Sequence, residues 1–499
     1  LDIFGNIAIG FGVALTLQNI LYCFIGVFLG TVVGVLPGIG PVTTVAMLLP
    51  ISFTLDPISA MIMLAGIYYG AQYGGSTTAI LVNIPGEASS VVTTIDGHQM
   101  ARRGRAGPAL GIAAIGSFFA GCVATLLISV AAPPLAAIAL EFGPAEYFSL
   151  MVCGLIAAVV LAHGSVIKAI AMVVLGLLLG LAGTDVNSGV RRFTFGFQGL
   201  ADGVEFVALS MAIYGLAEVA FNLERKEGPV DVTKKIGRVW PAWHDIRICI
   251  PSILRGTFLG SLLGVLPGGG ALLAAFAAYT LEKKVAKPPR EFGRGDIRGV
   301  AAPESANNAG AQTSFVPMLT LGIPSNPTMA LMIGALMIHG IAPGPRVMTE
   351  RPELFWGVIA SMWIGNLMLV ILNLPLVGMW VRFLRIPYRL LFPAIVGFCC
   401  IGTYTINSNV FDVFVMAFFA VFGYLCLKLE CEPAPLILGF VLGPMMEENL
   451  RRTLLMSRGD ASVLVTEPIS FGFLIASALL LLVLIAPAIR RKREEALQE

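Results

Sequence analysis

Two stretches gather polar, almost uncharged side chains inside strongly apolar sequence. One is YYGAQYGGSTTAILVNIPGEASSVVTTIDGHQ (68–99) and the other is PESANNAGAQTSFVPMLTLGIPSNPT (303–328). Hydroxyl and amide oxygens, together with carbonyls freed from helices, can ligate a hard cation, and helix N-termini can hold carboxylates. A single Ser or Thr in such a setting ordinarily makes an interhelical hydrogen bond. Two dense clusters point instead to binding. Neither contains Lys or Arg; the nearest basic run is Arg102, Arg103 and Arg105.

Ahead of each cluster stands a helix-breaking heptapeptide, GVLPGIG (34–40) and GVLPGGG (264–270). Pro37 and Pro267 each remove a backbone donor, and the glycines after them permit angles that a helix cannot use. Backbone freed in this way is tolerated in a bilayer only where protein buries it or a wet cavity meets it. One such motif alone reads as a kink or a close helix crossing. Two copies at matching places read as paired breaks facing a site. The residues expected to meet the coupling ion are Pro37, Gly38, Gly40, Thr43, Thr44, Gly268, Gly269, Gly270, Glu304, Ser305 and Asn307. Those expected to meet substrate are Gln72, Tyr73, Gly74, Gly75, Ser76, Thr77, Thr78, Asn83, Pro85, Gly86, Asn307, Asn308, Gln312, Pro324, Ser325 and Asn326.

The elements that must position these groups are membrane helices. Of 499 residues, 57% are hydrophobic and 12% charged, against roughly 25% charged in soluble domains. The expected fold is an all-α polytopic membrane protein of about 12 spans, its broken helices or re-entrant hairpins meeting near the midplane. The final apolar run, 471–489, precedes RRKREE, which places the C-terminus in the cytoplasm by the positive-inside rule. LDIFGN lacks the basic region of a cleaved signal peptide. A net charge of +2 gives no pointer to nucleic acid, and the eight cysteines have no CxxC spacing, so zinc and redox dithiols are not indicated. No GxSxG, HExxH or P-loop marks an enzyme or an ATPase.

The chain divides into repeats over 1–223 and 248–499, joined by a polar linker over 224–247. FLGTVVGVLPGIG (28–40) aligns with FLGSLLGVLPGGG (258–270) at nine of thirteen positions. Echoes follow in the same order: GAQ at 70–72 and 310–312, NIPG at 83–86 against GIPS at 322–325, and GTDVNS at 183–188 against GTYTINS at 402–408. The loop ISFTLDPI has no basic residue, whereas its counterpart LEKKVAKPPREFGRGDIR has many; ARRGR and HGIAPGPR show the opposite bias. Reversed loop charge predicts an inverted repeat, the usual construction of a secondary transporter.

GVLPGIGP, YGGSTTAILVNIPGEASSVVTTIDGHQMARRGRAGPAL, GVLPGGG, APESANNAGAQTSFVPMLTLGIP and GALMIHGIAPGP resemble the large membrane subunit of the tripartite tricarboxylate transporters, the TctA family. The likeness runs in order over nearly the whole chain. It implies a secondary uptake carrier of the bacterial inner membrane that works with a small four-helix membrane subunit and a periplasmic solute-binding protein. Such systems import citrate and other carboxylates on an ion gradient, with no cofactor. SNP at 325–327 departs from a Gly-Ser after the IP, which bears on the shape of the second half-site.

With no cation in either cluster, helix N-termini, hydroxyls and bound Na⁺ are expected to offset the substrate's charge together. Proton coupling is the alternative and needs an intramembrane acid. Glu304 is the first choice, while Asp185, Asp202, Glu205 and Asp412 are expected to cap helices or face water. His98 and His339 each fall shortly before a Gly-Pro, a further echo between the repeats, and read as loop or interface histidines, while His163 and His244 have no ligand spacing. A channel built from re-entrant loops is the main rival to a carrier, and a membrane enzyme is a more distant one.

Overall fold

The computed structural model describes residues 3–36, 40–162, 165–185, 187–224, 237–266, 270–286, 291–383 and 388–485. Pro37, Gly38, Pro267, Gly268 and Gly269 therefore lie outside the described residues, as do His163, half of the linker and the basic tail.

The described chain is helical apart from one two-residue antiparallel pair, Gly183–Thr184 with Arg191–Arg192, in a loop. Six helices are long and apolar enough to cross a membrane, and seven shorter apolar helices accompany them. Large apolar side chains such as Leu17, Phe258, Leu262, Phe414 and Phe418 are exposed on their outer faces, as lipid contact requires. Nine helices carry the site: α1 Leu17–Val35, α2 Pro41–Phe53, α3 Pro57–Val82, α4 Phe206–Glu224, α5 Trp243–Gly264, α6 Gly270–Val285, α7 Arg298–Thr313, α8 Pro327–Ile338 and α9 Ala434–Met456.

The polar clusters ride on α3 and α7, and neither helix is among the six apolar spans. Residues 59–82 and 299–313 are buried around the whole helix circumference. A helix sheathed in protein has no lipid face to keep apolar, so it can carry Gln, Ser, Thr, Asn and Glu.

Each of these inner helices crosses a glycine-notched partner. A Cβ on Gly26, Gly30 or Gly34 of α1 would lie 2.3, 2.4 or 2.3 Å from the carbonyl oxygens of Met63, Ile67 and Ala71 on α3. On α5, a Cβ on Gly256, Gly260 or Gly264 would lie 2.3, 2.2 or 2.4 Å from those of Ala302, Ala306 and Gly310 on α7. Both are small-xxx-small crossings, which let backbones approach where apolar burial gives no drive. The shared register makes Gly310 the counterpart of Ala71. The GAQ strings at 70–72 and 310–312 thus stand one residue out of step, because the glycine notches set the register.

The expected capping acids lie where helices end. Glu205 accepts from the Ala208 amide at 2.6 Å, Asp412 accepts from Asn407 at 3.0 Å, and Asp202 is exposed. Asp185 sits in the loop after Val166–Gly180. The Ser188 hydroxyl, the Asn187 amide and Arg451 hold its carboxyl down to about 2. His98 and His339 bond the carbonyls of Ile80 and Ser52, and all eight cysteines are free.

Candidate functional site

The described ends of the two breaks open differently on their two sides. On the carbonyl side, Thr78 Oγ1 donates to Val35 O at 2.9 Å, with Gly34 O at 3.4 Å. In the second half, Ser314 Oγ lies 3.2 Å from Gly264 O. The carbonyl released at the first break is therefore met by a hydroxyl of the neighbouring helix, while at the second the Ser314 hydroxyl also has Gly310 O at 2.7 Å. On the amide side, α2 starts at Pro41 with no side-chain cap at Gly40, and α6 starts at Gly270, whose φ is 46°. First-turn amides without an intrahelical acceptor carry partial positive charge.

These starts face a cavity of about 500 Å³, within the range of small-molecule sites. Four helix N-termini contribute to its wall: Gly40–Val42 of α2, Gly270–Leu272 of α6, Asn326–Thr328 of α8 and Pro433–Pro435 of α9. Tyr68, Gln72, Pro85, Gly86 and Ser89 complete the polar side, and Ala158, Ala162 and Leu438 an apolar one. Among the described residues no Lys, Arg or His lines it, but Glu87, Glu218 and Glu432 do.

Asn83 and Gly322 end α3 and the short helix Phe315–Leu321 with φ of 61° and 71°, and each turns the chain back toward the cavity. Glu87 and Asn326 stand four residues beyond these caps. Glu87 accepts from the Ser89 amide at 2.8 Å and hydroxyl at 2.5 Å, and Asn307 Nδ2 lies 3.3 Å away. Asn326 accepts from the Met329 amide at 3.0 Å and donates to Tyr68 and Ser314. Gly86 is held so close to the α1–α3 crossing that a Cβ there would meet Gly34 O at 1.9 Å.

Among the expected substrate residues, Gln72, Pro85, Gly86 and Asn326 line the cavity, as do Gly40 and Gly270 among the ion residues. Asn307 touches the lining through Glu87. Gly74 and Thr78 face α1, and Gly75 packs on Glu87. Tyr73, Ser76 and Thr77 border a second cavity of about 10 Å³ with Ser117 and Asn373. Asn83 is exposed at its helix end, Pro324 is buried and Ser325 contacts Ser314 O. Ser305, Asn308 and Gln312 face the helix Ala106–Leu140: a Cβ on Gly116 would touch Ser305 Oγ, Asn308 donates to Ser117, and Gln312 accepts from Thr125. Thr44 bonds back to Gly40 O at 3.1 Å.

Glu304 is fully buried behind the cavity wall, where Ser76 contacts Oε2 at 2.5 Å and Thr93 contacts Oε1. Thr43 contacts both Glu218 and the Tyr214 carbonyl. The expected set does not include Tyr68, Glu87, Tyr214, Glu218, Thr328 or Glu432. The signal for Glu218 is in the sequence, since an acid within FVALSMAIYGLAEVAF marks a functional position by its cost alone. Glu87 is the one acid in the run NIPGEASS.

The chain is 58% identical over 499 residues to an uncharacterised 52.8 kDa protein from the TAR-I ttuC' 3' region of Agrobacterium vitis, covering 100% of this chain and 99% of that one. It is 60% identical over 240 residues to an uncharacterised protein from the TAR-II ttuC' 3' region of the same organism, covering 48% of this chain and 99% of the relative. No solved structure matches it. The model of the tripartite tricarboxylate transporter TctA family matches residues 20–438, and the chain, a multi-pass membrane protein with helix starts gathered on one cavity, belongs to that family.

Proposed function

We propose that this chain is the large transport subunit of a solute-binding-protein-dependent secondary carrier that imports tricarboxylates or related carboxylates, citrate among them, by cation symport. The observation that carries the reading is the cavity wall, where, among the described residues, four helix N-termini and no basic side chain meet three glutamates. Helix starts favour a carboxylate, while the glutamates oppose it unless a cation or protons enter too. Substrate and cation then bind cooperatively, and each raises the other's affinity by the same factor.

In this reading Gln72, Gly86 and Asn326 meet the substrate, and Glu87 and Glu304 belong to the coupling machinery. Na⁺ is the first coupling ion, held by hydroxyl, amide and carboxylate oxygens. Proton coupling is the second reading, and the hydrogen count around Glu218 favours it. The matching registers of α1–α3 and α5–α7, with the reversed loop charge, support an inverted repeat of about 12 spans joined through 224–247. The partners are a small four-helix membrane subunit and a periplasmic binding protein, in a bacterial inner membrane with the C-terminus cytoplasmic.

Proteoliposome uptake with both partners, scanning carboxylates in Na⁺ and in choline, tests this. Expected is saturable, concentrative uptake that requires the binding protein. Flux that only equilibrates the substrate, with or without that protein, would favour a channel. Uptake unchanged in choline but abolished by a protonophore would remove Na⁺ and leave H⁺.

A further inference from the structure

Helix α4 is not a uniform α-helix. Met211–Ala217 has π geometry, and the amide of Glu218 bonds to Gly215 O rather than to the carbonyl four residues back. That carbonyl belongs to Tyr214, and Thr43 Oγ1 of α2 approaches it at 2.7 Å. The same Thr43 oxygen lies 2.6 Å from Glu218 Oε2. Short π segments inside α-helices recur at functional sites, and this one turns Tyr214 and Glu218 together onto the cavity wall.

A threonine hydroxyl has one hydrogen. Thr43 cannot donate both to the Tyr214 carbonyl and to an ionised Glu218, and two acceptor oxygens at such distances without a hydrogen between them repel. The contact closes when Glu218 supplies the second hydrogen: Glu218 Oε2–H donates to Thr43 Oγ1, and Thr43 Oγ1–H donates to Tyr214 O. A separation of 2.6 Å is a hydrogen-bond length and leaves no room for a metal cation between the two oxygens. The Tyr214 hydroxyl is independent of this chain. It belongs to a residue only 7% exposed that lines the same cavity, and among the described residues it has no hydrogen-bond partner.

We propose that Glu218 is protonated in this conformation and is the group through which the cavity couples proton binding to carboxylate binding, with the Tyr214 hydroxyl as an open donor toward the substrate. The proposal rests on the carboxylate-carrier reading above and adds to it the identity of a proton site. The step balances simply. Glu218 releases H⁺ to cavity water, and Thr43 then rotates its single hydrogen from Tyr214 O to the new carboxylate. The cavity gains one negative charge, which weakens its hold on an anionic substrate. Protonation reverses each move and restores binding.

Among the described residues, the charged and titratable groups around Glu218 do not supply a fixed counter-ion. Glu432 stands across the cavity, Tyr214 lies one turn back, and Cys399 of the helix Tyr388–Asn407 approaches Gly215. Helix α2 carries no ionisable side chain. On Val410–Lys428, Asp412 sits at one end and Lys428, already paired with Glu224 at 2.7 Å, at the other.

Infrared spectroscopy of the reconstituted protein at neutral pH, with wild type compared against Glu218→Gln, reads the proton directly. Loss of one protonated-carboxyl band in the variant is expected, and identical spectra overturn the proposal. In transport, substrate exchange by Glu218→Gln is expected to lose its pH dependence while proton-driven accumulation falls about tenfold, in the range usual for coupled sites. Accumulation at the wild-type level in Glu218→Gln overturns it. Should Glu218→Gln not fold, Thr43→Ser, which keeps the hydroxyl, is expected to retain the wild-type pH profile and Thr43→Val to displace it. Coincident profiles in all three proteins overturn the proposal. A wild type that moves no carboxylate would sink the carrier reading instead, and the infrared result, which needs no substrate, still decides the state of Glu218.

Discussion

The α1–α3 and α5–α7 crossings use the same glycine spacing at the same register, yet the residues around them differ in kind. Helix α3 answers the α1 notches with glycines of its own, at Gly66, Gly70 and Gly74, while α7 presents Ser305, Ala309 and Thr313 at the matching positions. At the turn into the cavity the first half places Gly86 and Glu87, and the second Ser325 and Asn326. One half is packed to the limit and carries a charge at its tip. The other crosses as closely, at 2.2–2.4 Å, but turns on a serine and a neutral amide. Packing is the shared layer, and the chemistry is divided between the halves.

Gly86→Ala breaks this comparison most sharply, since its Cβ would meet Gly34 O at 1.9 Å. It is expected to destabilise by about 3 kcal/mol or more, the range of severe overpacking, whereas Ser325→Ala is expected to cost under ~1 kcal/mol. Thermal unfolding of both in detergent checks the contrast, and equal losses would mean that the turns are equally tight. Next comes exchange of the tips. Asn326→Asp adds a like charge to the cavity wall and is expected to weaken carboxylate binding about tenfold, equivalent to ~1.4 kcal/mol. Glu87→Gln is expected to keep the fold, because the amide oxygen can still accept from Ser89, and to weaken the Na⁺ dependence of binding while leaving its pH dependence to Glu218. Titration calorimetry in Na⁺ and in choline reads both, and an unchanged Na⁺ dependence for Glu87→Gln would remove that residue from the coupling machinery.

A smaller effect is expected from Asn307→Ala, which deletes the 3.3 Å contact to Glu87. Uptake should fall by a few-fold, about the worth of one ordinary hydrogen bond, and full activity would confine Asn307 to packing. The least effect belongs to Arg451→Ala, at a loop cluster away from the cavity. Uptake should be unchanged. The Asp185 carboxyl is lowered to about 2 by Ser188, Asn187 and Arg451. Its share of stability is therefore present above about pH 4, the unfolded value, and is lost as pH falls through 2. The variant should narrow that acid window, as read by unfolding against pH.

Segment ends were legible because Gly and Pro act locally. The chain starts α2 at Pro41, directly after GVLPGIG, and ends α3 at Val82, directly before NIPG. Which face of α3 or α7 meets the cavity was not legible. Both helices are buried on every side, so no amphipathic stripe separates Gln72, which faces the site, from Ser305, Asn308 and Gln312, which face Ala106–Leu140. Glu218 escaped for a related reason. Its turn is wound as a π segment within an apolar run, and neither its direction nor its partner Thr43, 175 residues earlier, leaves a periodic trace.

At the first break the Thr78 hydroxyl of α3 meets the Val35 carbonyl, while the start of α2 has no side-chain cap. The polarity of the site is thus written into the direction of the main chain. Substitutions along the wall can retune which anion fits, but none of them swaps an amide for a carbonyl. Exchange of one carboxylate for another is within easy evolutionary reach of this scaffold, while conversion to a carrier of cationic substrates would require rebuilding the breaks themselves.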